Sequence, residues 1–165
     1  MIDSEYCQTM AAYNQWMNQK MYAVCAEIPD AERKQDRGAF FKSIHNTLNH
    51  ILFSDRAWLG RFINQPFAIR VIGQELYSDF AELRQEREAC DREIIAWSET
   101  ISQPWLEQSF EYTSNVDSKT RVLPAWVLVT HLFNHQTHHR GQLTTLLSQM
   151  GYDLGVTDLP WLFQA

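Results

Sequence analysis

The chain has 165 residues, with 14 Lys and Arg against 20 Asp and Glu, a formal net charge of −6 and a hydrophobic share of 45%. That length suits one domain, 1–165, around a single core, and the acidic balance disfavours nucleic acid or anionic membrane as a partner, since both attract a basic surface. The opening "MIDSEYCQTMAAYNQWM" has no basic region followed by an apolar run, no stretch reaches the ~20 apolar residues of a membrane span, and Cys7, Cys25 and Cys90 are odd in number, widely spaced and free of CxxC, so a reducing cytoplasm is the expected setting.

Four long segments carry helical periodicity. The first runs from about Ser4 to Glu27 on the stripe Tyr6, Met10, Tyr13, Met17, Met21, Val24 and Ile28, with Asp3 or Ser4 as N-cap and Pro29 as its end. The second runs from about Ala39 to Phe62, with Phe40, Phe41, Ile44, Leu48, Ile51, Leu52, Trp58 and Leu59 on its apolar face, Asp36 as cap and Pro66 beyond its close. The third, from about Gln74 to Ile101, repeats Leu76, Phe80, Leu83, Cys90, Ile94 and Trp97, interrupted only by Arg87. Its charges, among them Glu82, Arg84, Glu86, Glu88, Asp91 and Arg92, read as a solvated face. Between it and the last segment, "FEYT" and "TRVL" flank a polar centre and predict a small hairpin or ordered loop. The fourth helix runs from Pro124 to Met150, with Gly151 as its stop. The tail "GYDLGVTDLPWLFQA" is aromatic enough to be expected to pack back. Four amphipathic helices of this length predict an all-α four-helix bundle.

The fourth helix holds four of the chain's six histidines in "HLFNHQTHHRGQL". With His135 at zero on a helical wheel, His139 falls at about 40°, and Leu128, Leu132, Leu143 and Leu146 at about 20 to 80°, so both histidines lie inside the apolar stripe. A lone histidine there would usually be a hydrogen-bonded core residue. Two at i and i+4 are able to turn their nitrogens onto one ion. His131 and His138 flank the stripe by about 40 and 60° on the other side, which suits a cavity mouth or a supporting position. A third ligand has to come from another helix, and the second offers His45 and His50. His50 shares a polar band with Ser43, Asn46, Thr47 and Ser54, whereas His45 faces away; periodicity favours His50 and leaves both open.

Three familiar helical metal designs do not fit. A His-Glu-x-x-His peptidase needs a glutamate base where this chain has Gln136. Di-iron bundles need Glu-x-x-His, and no Glu precedes any histidine here by three residues. Zinc nucleobase deaminases need PCxxC, which is absent.

"GAFFKSIHNTLNHILFSDRAWLGRF", "LFNHQTHHRGQLTTLL" with its HxxxHRGQ signature, and "VTDLPWLF" together resemble the DinB/YfiT-like superfamily over nearly the whole chain. The resemblance implies helices in up-down-down-up order and a mononuclear divalent metal ion, zinc, nickel or iron, held by His50, His135 and His139. It implies a homodimer paired through helix faces. It also implies, for one branch, a low-molecular-weight thiol cosubstrate. Three protein ligands leave an open position, the arrangement of a catalytic rather than a structural ion. The expected function is therefore a metal-dependent enzyme on a small-molecule substrate, a thiol S-transferase in the first place. The alternatives are a metal-dependent hydrolase and a non-catalytic metal-binding stress-response protein. Gln142, about 20° from His135, and His138 are the candidates for orienting reactants. Arg140 points elsewhere, toward an acidic partner, and Asp153 or Asp158 would reach the metal only through the folded-back tail.

Overall fold

The structure is a computed structural model that describes residues 2–68, 75–114 and 116–164. It is mostly helical, with one small antiparallel sheet. The helices are α1 (Ser4–Ala26), the short α2 (Asp30–Arg33), α3 (Ile44–Phe62), α4 (Phe80–Thr100), the short α5 (Gln103–Glu107) and α6 (Ala125–Gln149). Strands β1 (Ser109–Thr113) and β2 (Thr120–Pro124) precede α6, and a 3-10 turn, Leu159–Gln164, closes the chain. Among the long helices, α1 packs on α4 and α6, and α3 packs on the same two. No helix among the described residues is long and apolar enough to cross a membrane.

Local chemistry explains the ends. Asp3 caps α1 by accepting from the Tyr6 amide at 2.8 Å. The helix stops at Ala26, and Pro29 stands as the N-cap of α2. Gly151, at φ 84°, ends α6 with its amide on the Ser148 carbonyl. The predicted hairpin forms, with Phe110 opposite Leu123 and Tyr112 opposite Arg121; Asn115 at its tip lies outside the described residues. Pro124 ends β2 and caps α6 instead of opening its first turn.

Two helix starts differ from the periodicity. α3 begins at Ile44, capped by Ser43, whose hydroxyl accepts from the Asn46 amide; Asp36 instead receives the Gly38 amide. Residues 37–43 form a tight turn, with Arg37 N–H on the Lys42 carbonyl and Lys42 N–H on that of Ala39. Gly38 (φ 72°) and Lys42 (φ 70°) both adopt the left-handed region, which breaks any helix through Phe40 and Phe41. α4 begins only at Phe80, after the cap Asp79; the expected start at Gln74 lies outside the described residues. Leu76, placed on that helix by its spacing, instead runs in a segment stapled to α3. The buried Asn49 Oδ1 accepts both the Leu76 and Tyr77 amides, at 2.9 and 3.0 Å, and Asn49 Nδ2 donates to the Tyr77 carbonyl at 3.1 Å.

The core is mostly apolar, and a charged polar seam runs through it beside the buried histidines and Asn49. Arg87 is 1% exposed and donates to Asp55 at 2.6 Å, and it faces Asp91 at 2.9 Å. Asn14 and Asn18 of α1 both donate to Asp91 Oδ1, at 2.9 and 3.0 Å. Asp91 is thus a core residue and not part of the solvated face. Burial pushes its carboxyl up to about 6, with the Arg87 guanidinium pulling the other way. Cys7, Cys25 and Cys90 are buried free thiols, each pushed up by burial, to about 11, 12 and 12. The tail does return: Tyr13 Oη donates to the Thr157 carbonyl at 2.6 Å, Lys20 Nζ bonds the Val156 carbonyl, and Leu154 is buried. Trp161 and Phe163 nevertheless stay exposed.

Candidate metal centre

α3 and α6 pack side by side and bring three imidazoles together. His50 Nε2 lies 3.2 Å from His135 Nε2, and His139 Nε2 lies 3.1 Å from the same atom. The i, i+4 spacing of His135 and His139 stacks one ring a turn above the other on α6, and their centroids are 4.4 Å apart. His50 and His139 are buried and His135 is half-buried.

The proton inventory of this cluster is informative. His139 Nδ1 lies 2.8 Å from Gln142 Oε1, an acceptor, so Nδ1 carries the proton and Nε2 presents a lone pair. The amide of Gln142 then donates to His138 Nε2 at 3.3 Å. His135 Nε2 faces both other Nε2 atoms and holds at most one proton, so two ordinary hydrogen bonds between the three rings are impossible. A single cation at the point of convergence would satisfy all three nitrogens. Burial, reinforced by the neighbouring rings, drives His135 down to about 3 and His50 down to about 4. Both are therefore neutral at physiological pH, the form that ligates metal. The donor set fits a divalent ion of the imidazole-binding kind, zinc, nickel, iron or copper among them.

The other sequence candidates fall elsewhere. His45 is fully buried, with Nε2 2.9 Å from the Tyr77 carbonyl and 3.2 Å from Glu75 Oε1, away from the cluster. Gln142 stands behind His139 and orients that ring. His138 is tied to Gln142 and is exposed. His131 meets Trp58, with ring centroids 5.2 Å apart, and lines a cleft beside His50 and His135, as its place next to the stripe suggested. Gln136 is turned into the core and fully buried, away from the three imidazole nitrogens that converge. Arg140 bonds Asn14 and, among the described residues, pairs with no carboxylate directly, contrary to the expected acidic partner; Asn14 in turn donates to Asp91. Asp153 and Asp158 are exposed in the tail and do not join the histidine group. Of the polar band on α3, Ser43 and Thr47 are spent on capping and on a bond to the Ser43 carbonyl, while Ser54 lines the cleft.

Periodicity does not single out Phe41. The turn at 37–43 swings its ring onto His50, stacked at 3.8 Å and 21°, and edge-on to His139 at 5.5 Å. On another side of the centre, a cleft of about 330 Å³ opens, with His50 and His135 in its wall beside Phe53, Ser54, Trp58 and Tyr112. α3 supplies most of this lining, and the hairpin supplies Tyr112, Ser114 and Val116. The positive φ pair around "AFF" becomes visible only in the backbone.

The family model described as the DinB family matches residues 1–165. Protein DinB of Bacillus subtilis (strain 168) is 27% identical over 164 residues, covering 94% of this chain and 92% of that protein. A crystal structure of a DinB-like protein from Bacillus cereus ATCC 10987 superposes with a TM-score of 0.65 at 18% identity, over 87% of this chain and 90% of that one, a likeness of fold.

Proposed function

Since the chain belongs to the DinB family, we propose that it is a metal-dependent enzyme in which His50, His135 and His139 hold one divalent ion and a small thiol is joined to an electrophile in the adjoining cleft. The convergence of the three Nε2 atoms carries this reading. When bound, the ion would lower the pKa of a coordinated thiol or water and so supply a nucleophile at neutral pH. The protein's own part is positional. Gln142 fixes the His139 tautomer, Phe41 covers the His50 face against water, and Trp58 and Tyr112 give an organic molecule an apolar wall. The up-down-down-up bundle belongs to the same reading, supported by α1 and α3 each packing on both α4 and α6.

The test is a panel of glutathione, bacillithiol, mycothiol and cysteine against a chromogenic electrophile, with untagged protein. A rate that disappears with chelator and returns with divalent metal is expected for one of them. No metal-dependent rate for any thiol would remove the transferase reading.

Gln142 supplies a second check. In the Gln142→Leu protein the His139 ring loses the acceptor that holds its tautomer. Metal affinity should fall by roughly 10- to 100-fold, the usual range for a partner behind a ligand. Competition against a chromophoric chelator measures it, and an unchanged affinity would deny Gln142 this role.

A further inference from the structure

The same cleft contains a cation that the three-histidine chemistry does not use. Arg61, on α3, lines the cleft together with Trp58 and Tyr112. Its guanidinium lies 4.7 Å from the Trp58 ring centroid and 5.8 Å from that of Tyr112, so two aromatic faces hold it in place. Nη2 donates to the Thr113 carbonyl at 3.2 Å, which ties the hairpin to α3. Among the described residues, no carboxylate pairs with Arg61. Arg33 is matched with Asp30, Arg56 with Glu86 and Glu93, and Arg87 with Asp55 and Asp91, and the buried Arg140, which has no carboxylate of its own, bonds Asn14 of the Asp91 network. In a chain with a net charge of −6, an unneutralised guanidinium in a cleft wall calls for an anion from outside.

We infer that the cleft takes a substrate with an aryl or similarly flat apolar body and a carboxylate, the carboxylate held by Arg61 and the body lying on Trp58 and Tyr112 beside His50 and His135. This inference rests on the proposed reactive centre for its functional meaning, but not for the binding itself. With Nη2 engaged by Thr113, the remaining N–H groups of the fork suit the two oxygens of a carboxylate. A phosphate dianion would call for more than one cation, and among the described residues Arg61 is the only Lys or Arg in the lining. Arg61 follows His50 by 11 residues, a rise of about 16 Å along α3. Less the reach of both side chains, that leaves room for an extended body of one or two rings.

The experiment is calorimetric titration of chelator-treated, metal-free protein with 2-naphthoate and with 2-naphthamide, the neutral analogue. Working without metal keeps the carboxylate from binding an ion instead, and it separates this inference from the metal reading, which is scored by metal content alone. The wild type should prefer the acid by about tenfold or more, as expected for a charge-assisted bond. Arg61→Gln should abolish that preference while still binding the amide, and Arg61→Lys should keep part of it. An acid preference that survives in Arg61→Gln would overturn the inference. So would loss of amide binding in that variant, which would make Arg61 a support for the pocket's shape alone. Arg61-dependent binding of glutathione without binding of naphthoate would assign the anion to the thiol and overturn it as well.

Discussion

Replacing His135 by alanine is expected to empty the metal centre, and His50→Ala and His139→Ala should do the same. Each removes one of three converging Nε2 donors. If structural zinc sites with four ligands gain roughly 10–16 kcal/mol from binding, one ligand is worth about 3–4 kcal/mol, or some hundreds-fold in affinity. An ion held by three ligands does not survive purification after such a loss. His45→Ala is the matched control, because it too removes a buried histidine of α3. That variant should keep its metal and lose stability instead, since it severs the contacts to Tyr77 and Glu75. Elemental analysis of untagged protein gives the answer. Full occupancy in the His135→Ala protein, with the fold intact by circular dichroism, would show that the histidines hold no ion.

The largest effect on stability is expected in the polar seam. Arg87→Ala leaves Asp55 fully buried without its cation and takes the guanidinium from Asp91. Breaking a buried pair from one side costs about 3–5 kcal/mol, because the surviving charge keeps its desolvation penalty. For a chain of this size, that corresponds to a fall in Tm on the order of 10 °C. The double replacement Arg87→Met with Asp55→Leu should lose less than Arg87→Ala alone. It deletes both partners of one pair, and Asp91 still receives Asn14 and Asn18. Thermal unfolding of the two proteins decides the matter, and a loss under about 1 kcal/mol in Arg87→Ala would mean that the seam is solvated.

The centre was legible because its signal is local. His135 and His139 lie one turn apart inside an apolar stripe, and the resemblance of the second and fourth helices to a known family pointed to His50. The cap Asp3, the hairpin and the stop at Gly151 were legible for the same reason, as short-range chemistry. What escaped was set by contacts far apart in the chain. Phe40 and Phe41 fit a helical stripe by spacing, and only two left-handed backbone positions, one of them at a lysine, turn them out of it. Leu76 also fits a stripe, yet its amide is claimed by Asn49, 27 positions earlier. Asp91 reads as one more surface charge among Glu86, Glu88 and Arg92. Its burial depends on two asparagines of α1 more than seventy positions away, at sites where periodicity registers only polarity.

The hairpin divides labour within the molecule. The three histidines stand on two long helices anchored in the core, whereas Tyr112, Ser114 and Val116 reach the cleft from a two-stranded ribbon that packs on the core's edge through Phe110 and Tyr112. Substitutions at Val116, exposed at the tip of the ribbon, are expected to leave the imidazole geometry and the polar seam untouched. On the proposed reading, the ribbon is then the part that can change which molecules the cleft admits while the histidine cluster stays as it is.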